Sequence, residues 1–318
     1  MDSTYVVGID VGGQTSKLGV VDARGTVLAQ TVIRTDTYSE IEPYIAELAD
    51  AVKKIIKDSG TEGKIKGIGV GAPNGNYYTG TIENAVNLTW GGANVVPFTK
   101  LLSEAVDGLP VALTNDANAA AVGEMTYGAA RGMKNFIMIT LGTGVGSGIV
   151  INGEVVYGHD GFAGELGHVA AVRNNGRARL RKTGCLETYA SATGVARTAR
   201  EWLELTDEPS VLRSLDNIAS KDVYEAAKDG DKLALKIFEF TGKILGRSFA
   251  DFIAFSSPEA IVLFGGLARA KEFLNGPIEE AMNANVLPLW RGKVKIVYSQ
   301  LKESDAAILG ASALAWEL

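Results

Sequence analysis

A glycine-turn hairpin occurs twice in this chain. The first copy reads Tyr5-Val-Val-Gly-Ile-Asp10-Val-Gly12-Gly13-Gln14-Thr15-Ser16-Lys17. The second reads Phe136-Ile-Met-Ile-Thr140-Leu-Gly142-Thr143-Gly144-Val-Gly146-Ser-Gly148. Each is strand, glycine-rich turn, strand, and each passes through a further tight turn, Arg24-Gly25 or Asn152-Gly153, into a third strand. Three-strand meanders of this kind are antiparallel, and the helices and strands that follow them make the chain α/β with mixed sheets. At 318 residues the chain is long for one domain, and two similar units imply two similar halves. The boundary is expected near residue 115, where the first unit gives way to the second.

The pattern along the chain supports this order. Strands are expected near 5–10, 17–22 and 26–34. Ile41, Tyr44, Ile45, Leu48, Val52, Ile55 and Ile56 then recur at helical spacing. Ile65–Gly71 and Val111–Thr114 read as strands, and Ala72 to about Pro97 as a long functional loop. A helix follows Asn115-Asp116. Helices dominate 190–255, Ala260–Phe264 is a strand entering Gly265-Gly266, and Lys293–Tyr298 precedes a closing helix.

The glycine runs match neither the Walker A nor the Rossmann spacing, and each opens a strand where those motifs open a helix. Read functionally, backbone N–H groups of two hairpin turns, with hydroxyls from Thr15, Ser16 and Thr143, would cradle phosphate. Read structurally, glycine-rich hairpins are simply turns. The net charge of −6 argues against nucleic acid or an anionic membrane as partner. No apolar run is long enough to span a bilayer, and the N-terminus lacks a basic signal region. A single cysteine excludes an intrachain disulfide framework and fits a reducing cytoplasm.

With these residues in view, the chain resembles the sugar kinase, heat-shock chaperone and actin superfamily, and within it the ROK family. Asp10–Lys17 resembles that family's first phosphate loop, Leu141–Gly148 its second, and Phe264-Gly265-Gly266-Leu-Ala268 its adenosine loop. Glu165-Leu-Gly-His168 resembles its E-x-G-H sugar motif, Gly184-Cys-Leu-Glu187 its trailing G-C-x-E, and Asn115-Asp116 its N-D pair. The resemblance implies a two-lobed actin/hexokinase-like fold, a duplicated ribonuclease H-like βββαβα unit with a cleft between lobes. Residues 1–115 would form the small lobe, joined by the closing helix 303–318, and 116–302 the large lobe. It implies ATP-dependent phosphorylation of a hexose at its 6-hydroxyl, with a homodimer possible. An N-acetylhexosamine kinase, a fructokinase and a non-catalytic sugar sensor are alternatives within the family. A DNA-binding repressor would need a helix-turn-helix before the first strand, and the strand expected at about residue 5 leaves no room for one.

The resemblance assigns roles that the chemistry supports. Asp116 would be the general base that accepts the hydroxyl proton, although Asp also suits the N-cap of the helix that follows. Asn115, Glu165, His168 and Glu187 would read sugar hydroxyls, and Gly75, Asn76 and Asn87 would add contacts from the A-P-N-G-N and N-L-T-W stretches. Gly12, Gly13, Gln14, Thr15, Ser16 and Lys17, then Gly142, Thr143 and Gly144, then Gly265 and Gly266, would hold ATP. Asp10 would hold Mg²⁺ through water, or else cap an Asx turn. The family's zinc site departs here: two of its cysteine positions are Ala178 and Leu180, and only Cys185 remains. Tetrahedral zinc needs four ligands, so no zinc is expected, and His168 must be oriented by other contacts. The basic run Arg177-Ala-Arg-Leu-Arg-Lys182 would take over the metal's structural role by ion pairing.

Overall fold

The computed structural model describes residues 4–172 and 184–318. Ala178, Leu180 and the basic run Arg177–Lys182 therefore lie outside the described residues. Two five-stranded sheets organise the rest. The first contains β1 (Tyr5–Val11), β2 (Thr15–Val21), β3 (Val27–Arg34), β4 (Ile65–Gly71) and β8 (Val111–Thr114), in the order β3-β2-β1-β4-β8. The second contains β9 (Phe136–Leu141), β10 (Val145–Ile151), β11 (Glu154–Val155), β12 (Ala260–Phe264) and β13 (Lys295–Tyr298), in the order β11-β10-β9-β12-β13. Each is an antiparallel meander whose first strand pairs in parallel with a fourth strand, which in turn pairs in parallel with a fifth, so the doubling expected from the hairpins extends to strand order.

Apolar side chains on α1 (Ile41–Asp58) bury Tyr44, Leu48, Val52 and Ile55 against β1, β2 and β4, forming the core of the first half. The core of the second half gathers β9 and β12 with α7 (Lys232–Ser256) and α8 (Lys271–Asn285), through Ile139, Phe238, Phe249, Leu263 and Leu274. Around that core lie α4 (Leu186–Ala190), α5 (Ala192–Leu205) and α6 (Ser220–Lys228).

The segment 72–97 differs from the loop expected. It forms a small sheet of β5 (Gly75–Asn76), β6 (Thr81–Glu83) and β7 (Val95–Val96), followed by α2 (Phe98–Ala105). Strands of two or three residues are too short to show alternation, and α2 buries only Phe98 and Leu102.

Two helices stand between the sheets. α3 (Asp116–Tyr127) lies on β9 and β10, and α9 (Glu303–Leu314) lies on β1 and β4. Missing side chains let them dock closely. A Cβ on Gly8 would sit 2.1 Å from the Ile308 carbonyl oxygen, and one on Gly69 would sit 1.9 Å from that of Ala311. A Cβ on Gly148 would meet the Ala121 methyl at 2.9 Å, and one on Gly146 the Ala117 methyl at 3.1 Å. The long alternating glycine run after Gly142 is thus accounted for: Gly146 and Gly148 admit α3. The two helices meet where a Cβ on Gly123 would lie 2.6 Å from the Gly310 Cα.

Candidate active site

β8 delivers Asn115 and Asp116 to the start of α3, and β1 delivers Asp10 beside the first hairpin turn. Asn115 is the N-cap, its side-chain oxygen accepting the Asn118 N–H at 2.7 Å. The capping role weighed for Asp116 thus falls to its neighbour. Asp116 sits in the first turn, one carboxylate oxygen accepting the Ala117 N–H at 2.9 Å. Burial pushes its carboxyl above the usual range. Asp10 is raised to about 6, mainly by burial and then by the charge of Asp116, with Lys17 opposing. Lys17 is the antiparallel partner of Asp10 across the hairpin. Both carboxyls line a cavity of about 180 Å³ between the sheets, with Gly71, Thr140, Phe264 and Ala306.

Asp10 and Thr140 at its wall lie at the bases of the two glycine-rich hairpin turns. Gly12 closes the first turn by donating its N–H to the Thr15 carbonyl at 3.0 Å. Gly13 lies against the Asn87 backbone, where a Cβ would be 2.8 Å from that carbonyl oxygen. The exposed Gln14 uses its carbonyl to accept the Thr35 N–H at 2.9 Å. Ser16 is a correction. Strand alternation turns its side chain into the core, where its hydroxyl bonds to Thr35 Oγ1 at 2.7 Å and to the buried Tyr44 hydroxyl at 2.7 Å. Thr15 and Lys17 occupy the other face. In the second loop Gly142 donates to the Gly144 carbonyl at 3.0 Å, and Thr143 is exposed at the tip. Gly265 (φ 104°) packs on that loop's base, a Cβ there being 2.5 Å from the Leu141 carbonyl oxygen. Beyond it, a second cavity of about 350 Å³ is lined by Gly265, Ala268, Lys271, Tyr298 and Ser299; Gly266 is exposed at its edge. Phe264 and Leu301 line both cavities, so the two adjoin.

The E-x-G-H segment is held on β10. A Cβ on Gly167 would be 2.1 Å from the Val145 carbonyl oxygen. The Ser147 hydroxyl donates to the Gly164 carbonyl and accepts the Leu166 N–H at 2.9 Å. Ser147 was not among the expected site residues; a small polar residue alternating with glycines was its only signal in the sequence. Glu165 and His168 are half-exposed, with 3.9 Å between Nε2 and the carboxylate. Burial raises the Glu165 carboxyl; His168 lowers it, while Asp116 and Glu187 raise it. The four groups therefore share one electrostatic neighbourhood. Glu165 and His168 line a third cavity, about 310 Å³, with Asn74, Glu83, Asn84 and Phe162.

Two of the expected sugar contacts, Asn76 and Glu187, have side chains hydrogen-bonded within the protein. The buried Asn76 donates to Glu83 Oε1 at 3.0 Å and to the Asp160 carbonyl at 2.9 Å, and accepts from the Tyr78 N–H at 3.0 Å, which leaves its amide no donor to spare. Asn87 meets the first hairpin turn through its backbone while its side chain is exposed. One Glu187 carboxylate oxygen accepts the Val145 N–H at 3.0 Å, bracing the second hairpin turn. Gly75 is buried on β5, a Cβ there being 2.5 Å from the Thr114 carbonyl oxygen.

The donors do not fit a zinc ion. The chain has one cysteine, and Cys185 Sγ lies 3.3 Å from the Thr188 hydroxyl. Among the described residues no group of three or more His, Cys, Asp or Glu side chains could hold a metal ion. Mg²⁺ asks less of the protein, one or two carboxylates with water and phosphate completing its shell, and Asp10 beside Asp116 fits that need. No helix among the described residues is long and apolar enough to cross a membrane.

Comparison with known proteins agrees with this arrangement. The chain is 37% identical to a glucokinase of Halalkalibacterium halodurans, covering 98% of this chain and 94% of that one. Among solved structures, the ROK hexokinase from Thermus thermophilus superposes with a TM-score of 0.83 at 28% identity, covering 99% and 98% of the two chains. A ROK family glucokinase from Streptomyces griseus in complex with glucose and AMPPNP superposes with a TM-score of 0.78 at 30% identity, covering 99% and 100%. The mixed α/β architecture is the actin/hexokinase-like fold of these kinases. The ROK family model matches residues 6–317, and with paired carboxyls between duplicated sheets, this chain belongs to the ROK family.

Proposed function

We propose that this chain transfers the γ-phosphoryl group of ATP to the 6-hydroxyl of a hexose, glucose being the sugar most strongly suggested by its relatives. The observation that carries this reading is the Asp116 carboxyl, buried at the cavity between the sheets and relieved of capping by Asn115. Asp116 accepts the proton as the hydroxyl attacks. A loose phosphoryl-transfer transition state asks for little basicity, and what it does ask is positioning and charge stabilisation. Glu165 and His168 orient the sugar from the half-exposed side. Amide N–H groups of the two hairpin turns receive the phosphates, and the cavity beside Gly265 receives the adenosine. Asp10 would hold Mg²⁺ through water, and the ion would neutralise phosphate charge when bound. The halves act as two lobes: 1–115 with the closing helix 303–318, and 116–302.

The test is Asp116→Ala in a coupled ADP-release assay over a hexose panel. We expect kcat to fall by about 10²–10⁴-fold, the usual worth of a general base, with hexose binding retained. Near wild-type kcat would remove Asp116 from the mechanism.

A further inference from the structure

We infer that Thr193, on the first turn of α5, is a positioning residue for phosphoryl transfer. It acts by fixing one peptide of the second phosphate loop. Three consecutive parts of that loop are tied to the segment 187–193. The Gly142 carbonyl accepts the Ala192 N–H at 2.8 Å. The Thr143 carbonyl accepts the Thr193 hydroxyl at 2.9 Å. The Val145 N–H donates to the Glu187 carboxylate at 3.0 Å, with Gly144 leaving room for it: a Cβ there would lie 2.4 Å from that oxygen.

These ties decide which loop amides remain to bind an anion. In a trans peptide the C=O of one residue and the N–H of the next point in opposite directions. Holding the Gly142 and Thr143 carbonyls against α5 therefore turns the Thr143 and Gly144 N–H groups away from it. Among the described residues neither N–H has a protein acceptor, whereas the Val145 N–H is consumed by Glu187. Two adjacent outward amides form an anion-binding nest. The Gly144 N–H has its direction set by the Thr193 hydroxyl. Glycine on both sides of Thr143 gives that peptide freedom to rotate unless it is held.

Thr193 is in turn held. The Ser191 side-chain oxygen accepts the Gly194 N–H at 3.0 Å and lies 2.9 Å from Thr193 Oγ1. With Thr193 donating to Thr143, Ser191 must donate to Thr193. The chain of donors runs Gly194 N–H, Ser191 hydroxyl, Thr193 hydroxyl, Thr143 carbonyl, and such chains strengthen their members. Ser191 also caps α5. The rigid helix thus orients a flexible glycine loop through one hydroxyl.

This assignment rests on the kinase reading, and its test separates the two. Thr193→Val keeps the shape and removes the donor; Thr193→Ser keeps the donor. The side chain is exposed, so both variants should fold. We expect Thr193→Val to raise KM for ATP about tenfold and lower kcat about tenfold, with the hexose KM within twofold of wild type. Thr193→Ser should stay within twofold of wild type in all three. Unchanged ATP kinetics in Thr193→Val would overturn the assignment, as would an equal loss in Thr193→Ser. A rise in hexose KM matching that for ATP would also overturn it, as general damage. Absence of ADP release by the wild-type protein with every hexose would instead overturn the kinase reading itself.

Discussion

Adjacent residues of similar chemistry divide the work at the start of α3. Asn115 spends its side-chain oxygen on the helix end, and the Asp116 carboxyl faces the cavity. The cost appears in the titration of the acidic pair. Asp10 rises from 3.8 to about 6 because its charge is buried beside Asp116. The folded chain therefore binds this proton more tightly than the unfolded one. The resulting stability is fully present below the unfolded value and is lost as pH rises through about 6. Asp10→Asn should accordingly stabilise the ligand-free protein at pH 8 by about 2–3 kcal/mol, with the gain vanishing toward pH 4. Urea melts across that range would show it; a pH-independent difference would contradict it. Ser16 shows how local logic misleads. Its position beside Thr15 invites a phosphate role, yet period-two alternation sends it to Tyr44.

At the scale of elements, glycines admit helices to sheets. α9 lies on β1 and β4 only because Gly8 and Gly69 have no side chains, and α3 lies on β10 only because of Gly146 and Gly148. The same residue type thus serves docking in mid-strand and tight turning at the hairpin tip. Gly69→Ala would drive a methyl to 1.9 Å from the Ala311 carbonyl oxygen and 2.9 Å from its carbonyl carbon, backbone atoms that cannot swing aside. It should destabilise the chain by about 1–3 kcal/mol, the cost of overpacking a tight interior. Chemical denaturation would measure this, and an unmoved midpoint would mean α9 can shift outward freely. The short strands β5–β7 show the opposite limit. Their pairing is real, but two-residue strands carry no periodic signal to read.

At the scale of the molecule, an aromatic contact joins the halves. Tyr77, in the turn after β5, stacks on Tyr157, which follows β11, with ring centroids 4.1 Å apart and planes 3° from parallel. Beside it the Tyr78 hydroxyl donates to the Gly158 carbonyl at 2.9 Å, and Asn76 reaches the Asp160 carbonyl. These contacts hold the small sheet of the first half against the loop leading to Glu165. A stacked pair is worth about 0.5–1.5 kcal/mol beyond its burial, so Tyr77→Ala should raise the hexose KM about two- to tenfold. It should also enlarge the radius of gyration of the hexose-bound protein in small-angle scattering. An unchanged radius of gyration and KM would show that the hexose-bound arrangement of the halves does not depend on this stack.

The sequence by itself determined the doubled hairpin, the strand–helix order of both halves outside residues 72–105, and the order of the motifs along the chain. Those features are local: turn chemistry, alternation and helical periodicity are written in neighbouring residues. It also determined that four zinc ligands of the family's type are lacking, because that is a matter of composition. Only the tertiary structure decided what each polar group does. Asn76 reads as a sugar ligand, but it spends its amide donors on Glu83 and the Asp160 carbonyl, and Glu187 gives one carboxylate oxygen to the Val145 N–H. Thr193 carries no motif at all, and its role exists because α5 passes under the Thr143 carbonyl. A hydrogen-bonding group has few valences, and which partner fills them is fixed by what the fold brings within about 3 Å, not by the residues on either side.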